Sequence, residues 1–187
     1  ALDLPLPDGL AIPDDLRRNL PQLLAVRVNT PRSSSVGRLF DAVAALLGCV
    51  PREWREGGAA RALQALAETT EMVVDLPVVW DIVTMPQRLQ LQPLFAALLA
   101  AQRRGVPGQT LARGFHAWLA RASADAAARL ADAQGLDCIV LAGGVWHNGL
   151  LTEMLRREAS LRDYEIILPA PEQRDDRGHQ QAGLDVV

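Results

Sequence analysis

A chain of 187 residues suits one domain, or one lobe of something larger, with ample length for a core. A net charge of −3 and a pI near 5.6 give no general attraction to nucleic acid, and no apolar run reaches the length of a membrane span. All 19 basic residues are arginine, and the lack of lysine excludes a Walker-type phosphate loop and any Schiff-base lysine within the chain, because both need the amine.

The chain begins at Ala1 rather than at a methionine, which fits a processed start or a piece cut from a longer protein. Nothing near it has the charged, apolar and small-residue order of a signal peptide, so the expected location is the cytoplasm. Residues 1–31 are rich in Pro and Leu and read as a connecting or packing segment, with a short helix over 13–24 opening on Asp14 and Asp15. From Val36 the residues Leu39, Phe40, Val43, Leu46 and Leu47 fall at helical spacing, with Ser33, Ser34 and Ser35 as N-cap candidates and Gly48 as the stop. A polar loop over 52–58 leads to a second helix over 59–70, with Ala62, Leu63, Leu66 and Ala67 inward. Residues 72–85 are apolar, β-branched and interrupted by Pro77, which predicts one or two short strands near an edge.

A helix over 93–104 carries Leu94, Leu98 and Ala101 on one face and breaks at Gly105-Val-Pro-Gly108. The longest helix follows over 110–133, where Leu111, Phe115, Trp118, Leu119, Ala122, Ala126 and Leu130 recur at steps of three and four, so it is expected to be central and largely buried. A strand over 138–142, a Gly-Gly turn, a helix over 148–160 and a strand over 165–168 complete the pattern before a charged tail. The class is α/β with helix in excess. Cys49 and Cys138 lie in apolar surroundings without metal-type spacing, which favours buried, reduced thiols.

The most informative stretch is Asp137-Cys-Ile-Val-Leu-Ala-Gly-Gly-Val-Trp-His-Asn148, a buried strand that delivers a tight turn to a helix start. Without a Cβ at Gly143 and Gly144, a phosphate or ribose can approach the backbone, and the first N–H groups of the next helix face any anion. Asn148 stands at that helix start, as cap or as ligand contact. A plain strand-to-helix turn explains the same residues.

The run Asn29-Thr-Pro-Arg-Ser-Ser-Ser-Val-Gly-Arg-Leu-Phe-Asp41, the pair Phe115-His116 and Ala142-Gly-Gly-Val-Trp-His-Asn148, in that order, resemble the C-terminal part of the nickel–iron hydrogenase maturation carbamoyltransferase family, HypF. The resemblance extends over nearly the whole chain. It implies the second lobe of an actin-like (sugar kinase/heat-shock/actin) nucleotide-binding fold, shared with threonylcarbamoyl transferases and antibiotic O-carbamoyltransferases, with residues 32–187 as that lobe. In the family, carbamoyl phosphate and ATP give a carbamoyl-adenylate in a neighbouring domain. The domain that this chain resembles passes the carbamoyl group to the C-terminal cysteine of a partner maturation protein, the precursor of the cyanide ligand.

The resemblance further implies a nucleotide edge at Gly37 and Asp41, whose carboxylate offers two acceptor oxygens to the ribose hydroxyls; the alternative is an exposed helix acid. Glu56, Gly57 and Gly58 look like a turn against the nucleotide, or a simple loop, and Gly143, Gly144 and Asn148 like contacts to the adenylate phosphate. Asp176 lies where the family has an Asn-Asp-Gly-Gly motif whose aspartate helps to hold a divalent metal. Here Arg177 replaces a glycine of that motif, either filling the site as a counter-ion or turning to meet a phosphate. The family's paired metal-binding histidines are matched nowhere: none of His116, His147 and His179 has a second histidine at i+3 or i+4. His116 reads as a satisfied core residue, His147 as a turn residue near the ligand and His179 as a tail ligand only by substitution. The expected partners are therefore upstream domains of the same protein and a cysteine-terminated maturation protein, and the chain alone is expected to be inactive. Rival readings are carbamoyl transfer to a small-molecule hydroxyl or to tRNA, which the acidic balance disfavours, and a degenerate, non-catalytic module that docks hydrogenase accessory proteins.

Overall fold

The computed structural model describes residues 13–28, 30–31, 33–49, 57–83 and 86–168. Among the described residues there are six α-helices and two separate pairs of very short strands, so the expected α/β class with helix in excess holds. Helix α1 (Asp14–Val26) opens on Asp14 and Asp15, as expected from acids at the positive end of a helix, and Leu16, Leu24 and Val26 on it face solvent. Helix α2 (Val36–Leu46) buries Phe40, Val43 and Ala44 and packs against α3 (Gly58–Ala67), which buries Leu63 and Ala67. Ser35 occupies the N-cap position of α2, but its hydroxyl makes no capping bond. Helix α4 (Leu91–Arg103) contributes Leu94, Leu98 and Ala101, the face its spacing predicts.

Helix α5 (Gly108–Gln134), about 40 Å long at 1.5 Å per residue, is the axis of the molecule. Every residue from Thr110 to His116 is buried, so that stretch is covered on all sides. Further along, Trp118, Leu119, Ala120, Ala122, Ala124, Ala128 and Ala131 are buried, while Leu130 is 67% exposed, against the expectation that it lies inward. The reason is a change of neighbours. On one stripe Phe115 meets Phe40 of α2 and Trp118 bonds to Pro77, whereas Ala128 lies toward the C-terminal strand region, where Tyr164 donates to its carbonyl at 3.4 Å. Leu130 continues the first stripe past the point where that stripe has anything to pack on. At its C-terminus α5 stops on Gly135 (φ 65°), and the Leu136 N–H closes back on the Ala131 carbonyl at 2.9 Å.

The apolar segment over 72–83 also departs from expectation. Only Trp80–Asp81 (β1) is strand, paired antiparallel with Arg88–Leu89 (β2), a partner that the sequence did not suggest. Residues 71–79 are extended with the period-2 alternation of a strand: Leu76 is buried, Val74 and Val78 are half-buried, and Val73, Asp75, Pro77 and Val79 face out. Two of their carbonyls are bonded by α5 side chains rather than by another strand. Trp118 Nε1 donates to the Pro77 carbonyl at 2.8 Å, and Arg121 donates to the Leu76 carbonyl and to Asp75. The segment lies so close that a Cβ on Gly114 would sit 2.5 Å from Val74 Cγ1 and 2.7 Å from its carbonyl oxygen.

Strand β3 (Cys138–Val140) pairs in parallel with β4 (Glu165–Ile167), with Ile139 opposite Ile166. A parallel pair needs a crossover, and α6 (Gly149–Arg156) supplies it. The helix expected over 148–160 is broken: a 3-10 turn over Gly144–His147 precedes α6 and a second over Ala159–Leu161 follows it. Cys49 and Cys138 are free and half-buried, and burial pushes the Cys49 thiol above its usual range.

Candidate functional site

The glycine turn begins two residues beyond β3. Gly143 has φ 98° and ψ 159°, a conformation that side-chain-bearing residues avoid, so glycine is required there by the backbone itself. Gly144 is different: its φ is ordinary, and a Cβ placed on it would meet nothing within 4 Å. Neither packing nor backbone geometry asks for glycine at 144. The same holds at Gly37 in the first turn of α2, where an added Cβ would make only an ordinary 3.5 Å contact with Ser35 Oγ.

The turn is tied down at its far end. Asn148 caps α6, its Oδ1 accepting the Leu151 N–H at 3.0 Å, and the Thr152 hydroxyl donates to the Trp146 carbonyl at 2.9 Å. Asn148 is only 8% exposed, and its Nδ2 lies 3.0 Å from His116 Nε2 on α5. His116 is fully buried, with Nδ1 2.8 Å from the Ala112 carbonyl oxygen. A carbonyl only accepts, so Nδ1 carries the proton and Nε2 is left to accept from the Asn148 amide. Burial holds the His116 pKa below the usual histidine value, partly opposed by its bond to the Ala112 carbonyl, and the ring is neutral. The satisfied core role expected for His116 is thus what the structure contains.

Phe40 of α2 closes the other side of this ring, edge-on at 5.4 Å from His116 and 5.0 Å from Phe115. The next residue, Asp41, is half-exposed and pairs with Arg38 at 3.1 Å, one turn back on the same helix. The three stretches that carry the family resemblance, on α2, α5 and the start of α6, therefore meet at one imidazole. Gly57, in left-handed conformation (φ 68°), is the N-cap of α3 and Gly58 its first residue; α3 reaches α6 through Gln64, 3.8 Å from where a Cβ on Gly149 would lie. His147 is exposed in the 3-10 turn. Glu56, Asp176, Arg177 and His179 lie outside the described residues.

A feature that the sequence did not disclose is a cleft of about 430 Å³ on the α3–α6 side, lined by Glu68, Glu71, Arg113, Gly149, Leu150, Glu153 and Arg157. Its charges are mostly spent on one another: Arg113 pairs with Glu71, Arg157 with Glu153, and Glu68 accepts from Gln64 at 2.7 Å. The one available signal was an arginine inside the apolar first turns of α5. Among the described residues no three His, Cys, Asp or Glu side chains cluster as metal ligands, so the described donor set does not by itself fit a metal.

A long central helix beside a parallel strand pair, with a glycine turn leading from strand to helix, defines the second lobe of a Kae1-like domain. The family model described as "Carbamoyltransferase, Kae1-like Domain, second subdomain" matches residues 9–178, and the chain belongs to this HypF family. It is 43% identical over 147 residues to carbamoyltransferase HypF of Rhodobacter capsulatus, covering 78% of this chain and 18% of that protein. It is 36% identical over 166 residues to a carbamoyltransferase HypF homolog of Cupriavidus necator, covering 86% and 42%. Among solved structures, a full-length HypF in the phosphate- and nucleotide-bound form superposes with a TM-score of 0.74 at 23% identity, over 85% of this chain and 25% of that one. HypF of T. kodakarensis gives 0.69 at 30% identity, over 82% and 19%. The match thus covers between 18% and 42% of the length of these relatives, and no described helix is long and apolar enough to cross a membrane.

Proposed function

We propose that this chain forms one wall of a carbamoyl-adenylate site in a hydrogenase-maturation carbamoyltransferase, the opposite wall coming from other domains of the same protein. The observation that carries the reading is the pair of glycines, Gly37 and Gly144, that neither packing nor backbone geometry requires; what their missing side chains leave open is room for a ligand to touch the backbone. A nucleotide bound in HypF, as one relative's structure has it, supports the same reading. In it, Asp41 exchanges its exposed pairing with Arg38 for the ribose hydroxyls, freeing the guanidinium for a phosphate. Gly143 and Gly144 approach the adenylate phosphate, and Asn148, whose amide is committed to its cap and to His116, holds the turn rather than the ligand.

The transfer is acyl chemistry. A cysteine thiolate at the C-terminus of the partner attacks the carbamoyl carbon, a C–S bond forms, the bond from that carbon to the phosphate oxygen breaks, and AMP leaves with the electron pair. The thiol proton passes to solvent. A divalent metal, held through Asp176 together with ligands supplied by other domains, would neutralise charge on the leaving phosphate. On this reading the opposite wall and the remaining metal ligands come from other domains, so the chain alone is expected not to turn over.

Hydrogen exchange at saturating ATP tests the site. Segments 37–41 and 143–148 gain protection in the parent chain, and Gly144→Val abolishes that protection without lowering Tm, because its side chain enters open space. Unchanged exchange in the parent sinks the reading.

A further inference from the structure

We propose that His116 is a positioning residue that sets the register of the glycine turn against the Asp41 helix. The proposal rests on the nucleotide site described above for its functional consequence, but its structural half stands separately. One imidazole touches three elements: its own helix through the Ala112 carbonyl, the start of α6 through Asn148, and α2 through the edge of Phe40. Asp41 follows Phe40 directly, and the glycine turn ends on Asn148. A displacement of the ring moves both parts of the wall that this chain contributes, the Asp41 helix and the glycine turn.

The arrangement has only one solution. With the Leu151 N–H donating to Asn148 Oδ1, the amide must present Nδ2–H to His116 Nε2, and Nδ1–H must point at Ala112. Flipping the amide sets N–H against N–H at Leu151 and oxygen against a lone pair at Nε2, so both bonds are lost together. Fold stability alone does not call for such a device. The ring lies beside Phe40 and Phe115, where an apolar side chain of similar volume packs equally well, and Asn148 caps α6 without help. What an apolar residue omits is direction, the fixed orientation of the capping amide and of the turn preceding it.

The neutral imidazole protonated on Nδ1 is the minor tautomer of free histidine, which gives the proposal a spectroscopic signature. Nitrogen NMR of the chain is expected to show Nδ1 protonated and Nε2 bare at neutral pH. In His116→Leu, amides 143–147 exchange about tenfold faster or more, while those of α4 keep the parent rate. Nucleotide protection at 37–41 and 143–148 then needs about tenfold more ATP. His116→Gln, whose side-chain oxygen reaches the place of Nε2 and accepts from Asn148, restores both. A purely structural histidine predicts instead a change in Tm with parental exchange at 143–147, and that result overturns the proposal. If the parent shows no ATP protection at all, the nucleotide reading fails, and the exchange rates at 143–147 still decide the role of His116. Should His116→Leu not fold, Asn148→Asp serves: it keeps the cap and faces Nε2 with a carboxylate, so the Nε2 resonance moves to the protonated position only if the two side chains meet as described.

Discussion

Around His116, side chains from three elements are shut away from water and every polar atom of the ring and of Asn148 has a partner, whereas on the strand pair Val140 and Ile167 sit opposite each other and open to solvent, 64% and 44% exposed. Both regions are built mainly from apolar residues, and they differ in what covers them. Parallel strands are stable when both faces are covered, and among the described residues only the face carrying Ile139, Leu141 and Ile166 is. Among the described residues, the core around His116 is covered and the outer face of the strand pair is not. Substitutions on the two sides should therefore read out differently in the isolated chain, strongly on the first and weakly on the second.

The largest effect is expected at Gly114, where the 71–79 segment crosses α5. A methyl group there would lie 2.7 Å from the Val74 carbonyl oxygen, and backbone cannot rotate away as a side chain can. Gly114→Ala should cost about 3 kcal/mol, an overpacking penalty without a compensating contact. Chemical denaturation measures it. A loss below about 1 kcal/mol would mean that the segment moves freely on α5, and that the helical side is less complete than its burial indicates.

A smaller, pH-dependent effect belongs to His116. Its folded pKa is depressed, so between that value and the unfolded value near 6.5 the unfolded chain holds a proton that the folded chain does not. Stability is then fully present above about pH 6.5 and declines as the pH falls below it. Glu158, whose carboxyl is raised mainly by burial, titrates in the acid range too, so the contribution of His116 is read as the difference in slope between parent and His116→Gln. Parallel slopes would show that the imidazole is protonated at no net penalty, contrary to its burial and to the acceptor role of Nε2 toward the Asn148 amide.

How far the sequence disclosed these two sides depends on the range of the interactions. Helix positions were legible because Phe40, Val43, Leu63, Leu98 and Phe115 repeat at the spacing of one face, a local property. The strand-like character of 72–85 was legible from its β-branched residues, but the partner of 72–79 was not, because side chains of α5 some forty residues away take the place of a neighbouring strand. Leu130 misled for a related reason: periodicity marks a face, and only the neighbours decide how far along the helix that face stays covered. At the site, Gly143, Asn148 and His116 were each identifiable, yet the bond joining Asn148 to His116 spans 32 positions and follows from no local pattern. The charged cleft around Arg113 is of the same kind, assembled from α3, α5 and α6.

The smallest effect is expected on the sheet. Val140→Thr keeps a β-branched side chain of similar size and exchanges a methyl for a hydroxyl at a position where water already reaches most of the side chain. In the covered core that exchange would leave a hydroxyl without a partner. On this face water supplies the partner, and the change in stability should stay within about 0.5 kcal/mol, as it should for Leu130→Gln, equally far from any packing neighbour. Denaturation of both variants beside Gly114→Ala puts the contrast on one scale. A loss above about 1 kcal/mol at Val140 would show that this face is covered in solution, by a second copy or by residues outside those described, and the division into a complete and an incomplete side would have to be redrawn.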